Sequence, residues 1–130
     1  MLIDTHIWIW WVSGDAQLKP EFRAVITAAQ QTGIEVSIIS CWEVAKLVEN
    51  KKLTLTLPIL DWLHTALVYP GVRLLPLTPE IIVDSTQLPG TFHKDPADQM
   101  IVATARVLDL PLMTMDEKII AYPHVSLVTV

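Results

Sequence analysis

Short apolar runs and longer helical patterns alternate along the chain. The runs predict strands at Met1–Asp4, Glu35–Ile39, Val72–Leu77, Pro111–Thr114 and Val125–Val130. Between them, apolar residues at helical spacing predict helices at Ile7–Val12, Pro20–Gln31, Ser40–Asn50, from the end of a Thr54–Pro58 connector to about Val68, Pro79–Leu88, Pro96–Leu108 and Glu117–Ala121. This alternation predicts an α/β fold with an open, mainly parallel sheet and helices on both faces. In such folds ligands bind beyond the carboxyl ends of the strands.

Composition favours one compact domain over residues 1–130, because 52% of the residues are apolar and 18% are charged. The start has no basic leader, and no apolar run approaches the roughly 18 to 20 residues of a membrane span. Cys41 is the only cysteine, which excludes an internal disulfide and suits a reducing compartment. We therefore expect a cytoplasmic protein with no membrane segment. The net charge of -5 gives no overall basic footprint for nucleic acid.

The segment HKDPADQMIVATA sets two carboxylates at the start of an apolar helix. Asp95, directly before a proline, is expected to cap this helix. Asp98 shares a helical stripe with Ile101, Ala105 and Leu108, the face expected to pack on the sheet. An isolated buried carboxylate costs several kcal/mol unless a cation meets it. The inward orientation of Asp98 therefore points to a metal ion.

Three further acids have ordinary structural explanations when each is taken alone. Ser40 and Glu43 have the S-x-x-E spacing of a capping box, so Ser40 is expected to cap its helix. Asp4 and Asp116 each end a predicted strand and precede a predicted helix, where an acid is a suitable cap.

Taken together, the acids share one location. Asp4, Glu43 and Asp116 follow the carboxyl ends of strands, and the stripe orientation of Asp98 brings it to the same edge. Four carboxylates there repel one another by about 3 kcal/mol per pair at about 5 Å with an effective dielectric near 20, which requires a cation. Oxygen ligands without nearby cysteine or paired histidine favour Mg²⁺ or Mn²⁺. Such an ion activates water for attack on a phosphodiester.

Neighbouring polar side chains are candidates for supporting roles. The candidates are Asp95, Thr5, Thr114 and Ser40. The two threonines could hydrogen-bond a carboxylate or a phosphate, or could simply favour strand structure. His6 and His93 could relay a proton near neutral pH, or could be packed imidazoles.

Two further groups of residues could contact nucleic acid. The tryptophans of the segment WIWW could stack on bases, although packing in the core or at a dimer interface is the interpretation we favour. Lys46, Lys51 and Lys52 form the densest basic cluster. They fit a solvated helix face as well as a path that steers a polyanion toward the acids.

Four segments carry a resemblance to a known family. They are LIDTHIWIWW, SIISCWEVAKLVENKKL, HKDPADQMIVATA and PLMTMD. In order and spacing they resemble the PIN-domain ribonucleases, specifically the toxin half of VapBC-type toxin-antitoxin pairs. The resemblance implies a three-layer α/β/α fold and a Mg²⁺- or Mn²⁺-dependent endoribonuclease held inactive by a cognate antitoxin. It also implies a homodimer.

The resemblance assigns metal binding and catalysis to the acids Asp4, Glu43, Asp98 and Asp116. The chain also departs from the family pattern. Gln99 stands where an arginine often follows the third acid, and Ala97 stands where an aromatic residue is common. Loss of the arginine removes a cation that could pair with a phosphate or orient an acid.

Two alternative functions remain open at this point. A phosphoryl-accepting domain of receiver or haloacid-dehalogenase type also sets acids at parallel strand ends. It needs a second acid close to Asp4 or a dedicated late lysine, and Lys118 is the only late lysine. A catalytically inactive PIN-like scaffold that only binds a partner protein is the other alternative. The presence of all four acids favours the enzyme.

Overall fold

A four-stranded sheet with seven helices forms the protein, for which a computed structural model describes residues 1–130. The strands are β1 (Leu2–Ile3), β2 (Ile34–Ser37), β3 (Val72–Leu75) and β4 (Leu112–Met113). The helices are α1 (Thr5–Ser13), α2 (Pro20–Ala29), α3 (Ile38–Glu49), α4 (Ile59–Leu67), α5 (Pro79–Thr86), α6 (Pro96–Leu108) and α7 (Glu117–Ile120). None of these helices is both long enough and apolar enough to cross a membrane.

All neighbouring strands of the sheet are parallel, in the order β3-β2-β1-β4. The chain runs outward from β1 through β2 to β3 and then adds β4 on the opposite side of β1. Strand order therefore reverses between β1 and β4. The crevice beyond the carboxyl ends of these two strands is the place where sheets of this class bind ligands.

Successive residues of the short strands enter two hydrophobic clusters on opposite faces of the sheet, as the alternation of a strand requires. Ile3 and Met113 belong to the larger cluster, together with side chains of α1, α2, α3 and α4. Leu2 and Leu112 belong to the smaller cluster, together with side chains of α6 and α7. Helices cover both faces, so the predicted three-layer α/β/α fold around a parallel sheet is confirmed.

The predicted strand at Val125–Val130 is wrong. Leu127 makes a single parallel bridge to Leu112, and the segment forms no strand. The reason lies in β4, which is two residues long and is followed directly by the turn that leads to α7. Beyond that point the C-terminal segment has no neighbouring strand to pair with.

The prediction that Ser40 caps its helix is also wrong. Helix α3 begins at Ile38, and Ser37 is its cap, because the Ser37 hydroxyl accepts a hydrogen bond from the Ile39 amide at 3.2 Å. Ser37 is also the last residue of β2, so the strand leads into the helix without a loop. Ser40 therefore lies inside the helix and is fully buried, and Glu43 does not belong to a capping box at its start.

The stripe predicted for α6 is correct over its first turns and ends early. Ile101 and Ala105 are buried, whereas Leu108 is 42% exposed. Leu108 therefore lies at the edge of the core, directly before Asp109, whose left-handed backbone ends the helix.

Gly71 leads into β3 and sets the pairing of β2 with β3. Its carbonyl accepts the amide of Ile34 at 2.7 Å. Its φ is +84°, and a Cβ at this position would lie 2.2 Å from the carbonyl oxygen of Gln30. Both the left-handed backbone and the close approach of another backbone segment therefore require glycine.

A left-handed backbone costs an ordinary residue about 1 to 2 kcal/mol. We expect Gly71→Ala to lower the free energy of unfolding by more than this, because the added methyl group also meets the backbone of Gln30. The matched control is Gly14→Ala, because Gly14 has φ +67° with no other atom within 4 Å of an added Cβ. Urea denaturation followed by circular dichroism measures both losses. Equal losses for the two variants would contradict the close approach to Gln30.

Candidate active site

A polar cleft opens beyond the carboxyl ends of β1 and β4. Its volume is about 460 Å³. The carboxylates that line it are Asp4, Glu43, Asp95, Asp98 and Asp116. They come from the starts of α1, α6 and α7 and from the interior of α3, so residues far apart in the sequence meet in one place. The structure thus brings together all four predicted acids and the supporting residue Asp95.

Asp4 is the most buried of these acids, with 6% of its surface exposed. It caps α1 by accepting a hydrogen bond from the Ile7 amide at 3.0 Å, and the Thr114 hydroxyl donates to its other oxygen. Burial raises the pKa of Asp4 to about 6, although the hydrogen bonds from Thr114 and Ile7 act in the opposite direction. The predicted support by Thr114 is therefore a hydrogen bond to a carboxylate.

Thr5 and Ser40 hold Glu43 in place. The buried hydroxyl of Thr5 donates to Glu43 Oε1, and the Thr5 and Ser40 hydroxyl oxygens lie 2.9 Å apart. Because a hydroxyl has one hydrogen, Ser40 donates to Thr5 when Thr5 donates to Glu43. Burial raises the pKa of Glu43, and the hydrogen bond from Thr5 opposes the shift. A pair of hydroxyls therefore joins α1 to α3 at the carboxylate.

Asp98 lies in the first turn of α6 with its side chain 20% exposed. Burial and the negative charges of its neighbours Asp95, Glu43 and Asp116 raise the pKa of Asp98 to about 6. His93 opposes this shift, since its Nε2 lies 3.0 Å from Asp98 Oδ2. That nitrogen is buried and has no well-aligned hydrogen bond, so the contact with the carboxylate is its main polar interaction.

Asp95 and Asp116 are helix caps as well as members of the cleft. Asp95 accepts a hydrogen bond from the Asp98 amide at 3.0 Å, as predicted from the sequence. Asp116 accepts from the Lys118 amide at 2.8 Å, and its own amide donates to the Thr114 hydroxyl at 3.0 Å. Each cap uses one carboxylate oxygen for these bonds. The second oxygen of each remains available to a ligand.

The potential metal-ligand atoms in the cleft fit a hard divalent ion. They are carboxylate oxygens placed where burial and mutual repulsion raise the pKa values of Asp4, Glu43 and Asp98, and a cation would reverse that effect. No group of three or more acid, histidine or cysteine side chains is close enough together to hold an ion directly. Mg²⁺ typically keeps several waters and binds through one or two carboxylates, so this spacing suits an ion that is partly hydrated.

Several cleft residues were missed or left undecided by the sequence. Lys118 lines the cleft, although the sequence named it only as the late lysine of the phosphoryl-accepting alternative. Trp10 lines it too, whereas the other tryptophans of the WIWW segment are buried. Gln99, which replaces the usual arginine, donates from its amide to the His93 carbonyl at 3.1 Å. Lys46 pairs with Glu49 at 2.8 Å and does not line the cleft.

Comparisons with known proteins identify the family. A model of the PIN domain matches residues 1–125. The chain therefore belongs to the PIN-domain family, and not to the receiver or haloacid-dehalogenase families considered above. Within that family it is VapC-like. It is 32% identical to Ribonuclease VapC22 of Mycobacterium tuberculosis over 130 residues, which cover 100% of this chain and 97% of that protein.

Solved structures share the same fold. VapBC2 from Rickettsia felis, bound to a DNA fragment from its promoter, has a TM-score of 0.72 at 14% identity over 98% of this chain and 96% of that chain. A toxin-antitoxin complex from Klebsiella pneumoniae has a TM-score of 0.65 at 20% identity over 98% and 95%. FitAcB from Neisseria gonorrhoeae has a TM-score of 0.65 at 22% identity over 98% and 96%. At these identities the likeness establishes the fold.

The raised pKa of Asp4 makes stability depend on pH. In the metal-free protein the folded state binds this proton more tightly than the unfolded state, so the free energy of unfolding falls as pH rises from about 3.8 to above about 6. Asp4→Asn removes the titrating group, so across this window we expect its free energy of unfolding to fall by on the order of 3 kcal/mol less than that of the wild type. Urea denaturation at several pH values, with a chelator present, measures the difference.

Asp109→Asn is the control for this experiment. Asp109 is exposed at the end of α6, where asparagine also accepts the left-handed backbone. Its pH profile should follow that of the wild type. A wild-type profile that runs parallel to the Asp4→Asn profile from pH 4 to pH 7 would refute the assignment of a raised pKa to Asp4.

Proposed function

We propose that this protein is a Mg²⁺- or Mn²⁺-dependent endoribonuclease and the toxin of a VapBC-type toxin-antitoxin pair. The residues proposed to bind the ion and to catalyse hydrolysis are Asp4, Glu43, Asp98 and Asp116. The observation that carries the proposal is the meeting of these carboxylates in one cleft, where burial and mutual repulsion raise the pKa values of three of them. Such an arrangement is unfavourable for the bare protein and favourable with a divalent ion.

RNA is proposed as the substrate because the full-length relative is a ribonuclease. When bound, the ion would lower the pKa of a water molecule and offset negative charge on the scissile phosphate. It would be held through some of the four acids, with water filling the remaining positions. The family resemblance implies products with 5′-phosphate and 3′-hydroxyl ends.

The side chains of this protein orient the acids and accept the proton. Thr114 fixes Asp4, and Thr5 fixes Glu43, so both carboxylates are positioned before substrate arrives. In the metal-free protein the pKa of Asp98 is about 6, and a bound ion would lower it, so Asp98 would accept a proton from the attacking water only while it does not itself hold the ion. We assign it the role of general base, with His93 holding one of its oxygens.

Asp98→Asn tests this proposal. The substitution keeps the size of the side chain and removes both the charge and the base, so we expect RNA cleavage to be abolished and Mn²⁺ binding to weaken while the fold is retained. Denaturing gels of RNA incubated with Mn²⁺ measure cleavage, calorimetric titration measures ion binding, and circular dichroism checks the fold.

Asp109→Asn is the matched control, since it makes the same chemical change at the other end of α6 on an exposed residue. It should cut RNA at the wild-type rate. Cleavage by Asp98→Asn at that rate would show that Asp98 is not part of the active site. A wild-type protein that shows no ion-dependent heat would instead favour the inactive, partner-binding scaffold.

A cognate antitoxin is the proposed protein partner, and a homodimer is the proposed assembly. The related solved structures include toxin-antitoxin complexes. The chain exposes large apolar side chains outside the cleft, including Leu60, Val68 and Val83, at 63%, 78% and 52%. We propose that these side chains contribute to the contact with a protein partner.

Co-expression with the short reading frame next to the gene tests the partner. We expect the encoded protein to co-purify with this chain and to suppress RNA cleavage, and light scattering of the free chain to give the mass of a dimer. Full cleavage activity in the co-purified complex would rule out that protein as an antitoxin.

A further inference from the structure

The tryptophans of α1 divide between the core and the cleft. Trp8 and Trp11 are 0% and 8% exposed and belong to the larger hydrophobic cluster. Trp10 is half-buried, because one part of its side chain packs against that cluster while another part lines the cleft. The core therefore fixes the indole ring without covering it.

His6 lies one helical turn before Trp10 and extends the same aromatic surface. The two ring centroids are 5.8 Å apart, with the planes tilted by 54°. His6 is exposed, and it lines the same cleft as Asp4 and Glu43. The aromatic surface therefore adjoins the carboxylates directly.

The rest of the cleft offers little else for holding a polyanion. Among its lining residues only Trp10 and Met115 are apolar, and Lys118 is the one lysine or arginine. A chain with a net charge of -5 also lacks long-range attraction for RNA. Phosphate contacts through basic side chains are therefore few, and binding of the nucleotide next to the cut must use another interaction.

We propose that Trp10, with His6 beside it, forms a stacking platform for one nucleobase of single-stranded RNA next to the carboxylates. The inference rests on the proposed function, because it names the form of RNA that the site selects. Stacking on an aromatic ring contributes about 1 to 3 kcal/mol per base and tolerates every base. In a duplex the bases are already stacked and paired, so the platform is open only to unpaired nucleotides.

A double-mutant cycle between protein and RNA tests the platform. Binding is measured by fluorescence anisotropy in the Asp98→Asn background, where cleavage is not expected, with labelled oligoadenylate and with an abasic oligomer of the same length. We expect Trp10→Leu, which keeps apolar bulk for the core, to weaken oligoadenylate binding about 10-fold, which corresponds to 1.4 kcal/mol. Binding of the abasic oligomer should not change, and Trp10→Phe should restore most of the loss.

Trp42→Leu is the matched control, because Trp42 is 50% exposed on α3 and does not line the cleft. It should bind both oligomers as the parent does. Thermal denaturation checks that each variant folds. If Trp10→Leu does not fold, the two oligomers are compared on the parent protein alone. Equal affinity for oligoadenylate and for the abasic oligomer then overturns the platform.

The outcomes separate this inference from the proposed function. The platform is overturned if Trp10→Leu leaves oligoadenylate binding unchanged, or if it weakens the abasic oligomer equally. If the wild-type protein never cuts RNA but Trp10→Leu still weakens oligoadenylate binding, the proposed nuclease function is overturned and the platform is supported. Annealing the oligoadenylate to oligouridylate should abolish the effect of Trp10→Leu, and persistence of that effect in the duplex also overturns the single-strand preference.

Discussion

The site depends on the cost of holding Asp4, Glu43 and Asp98 close to other carboxylates with little water around them. Asp4 shows why the chain cannot avoid this cost. Its amide donates to the Met113 carbonyl at 3.1 Å, so it continues the ladder between β1 and β4. The flanking strands are buried, and the side chain of Asp4 lines the cleft. The position of Asp4 is therefore set by the sheet, and the protein does not need a ligand to place it.

The same hydrogen bonds serve folding and the site. Asp4, Asp95 and Asp116 each cap a helix, so the first turns of α1, α6 and α7 all face the cleft with their amide dipoles. An ionised carboxylate has about four lone-pair sites, and the caps use only part of this capacity. Loss of any one of these three acids would therefore remove both a helix cap and a potential ion ligand.

Local signals in the sequence predicted most of the elements, whereas individual side-chain contacts between distant residues were not predictable. Helix α6 was predicted at its observed bounds, because Asp95, the following proline and the apolar periodicity all lie within it or next to it. The start of α3 was misplaced because Ser37 and Ser40 are both suitable caps by local rules. What distinguishes them is the contact of Ser40 with Thr5, which joins α1 to α3 and leaves no trace in either segment alone. The location of the four acids followed from the topology, whereas the positions of Lys118 and Trp10 in the cleft required the packed side chains.

An acidic protein with an acidic cleft meets a particular difficulty if its substrate is a polyanion. Most proteins that bind nucleic acids gain affinity by displacing counterions with lysine and arginine. Here Gln99 holds the His93 loop through a hydrogen bond to the His93 carbonyl, and Lys118 is the one lysine or arginine that lines the cleft. The proposed divalent ion among the carboxylates and the proposed aromatic platform beside them would supply attraction of two different kinds, one for the phosphate and one for the base. Because both act only over short distances, substrate selection in this protein would fall on the few nucleotides that enter the cleft.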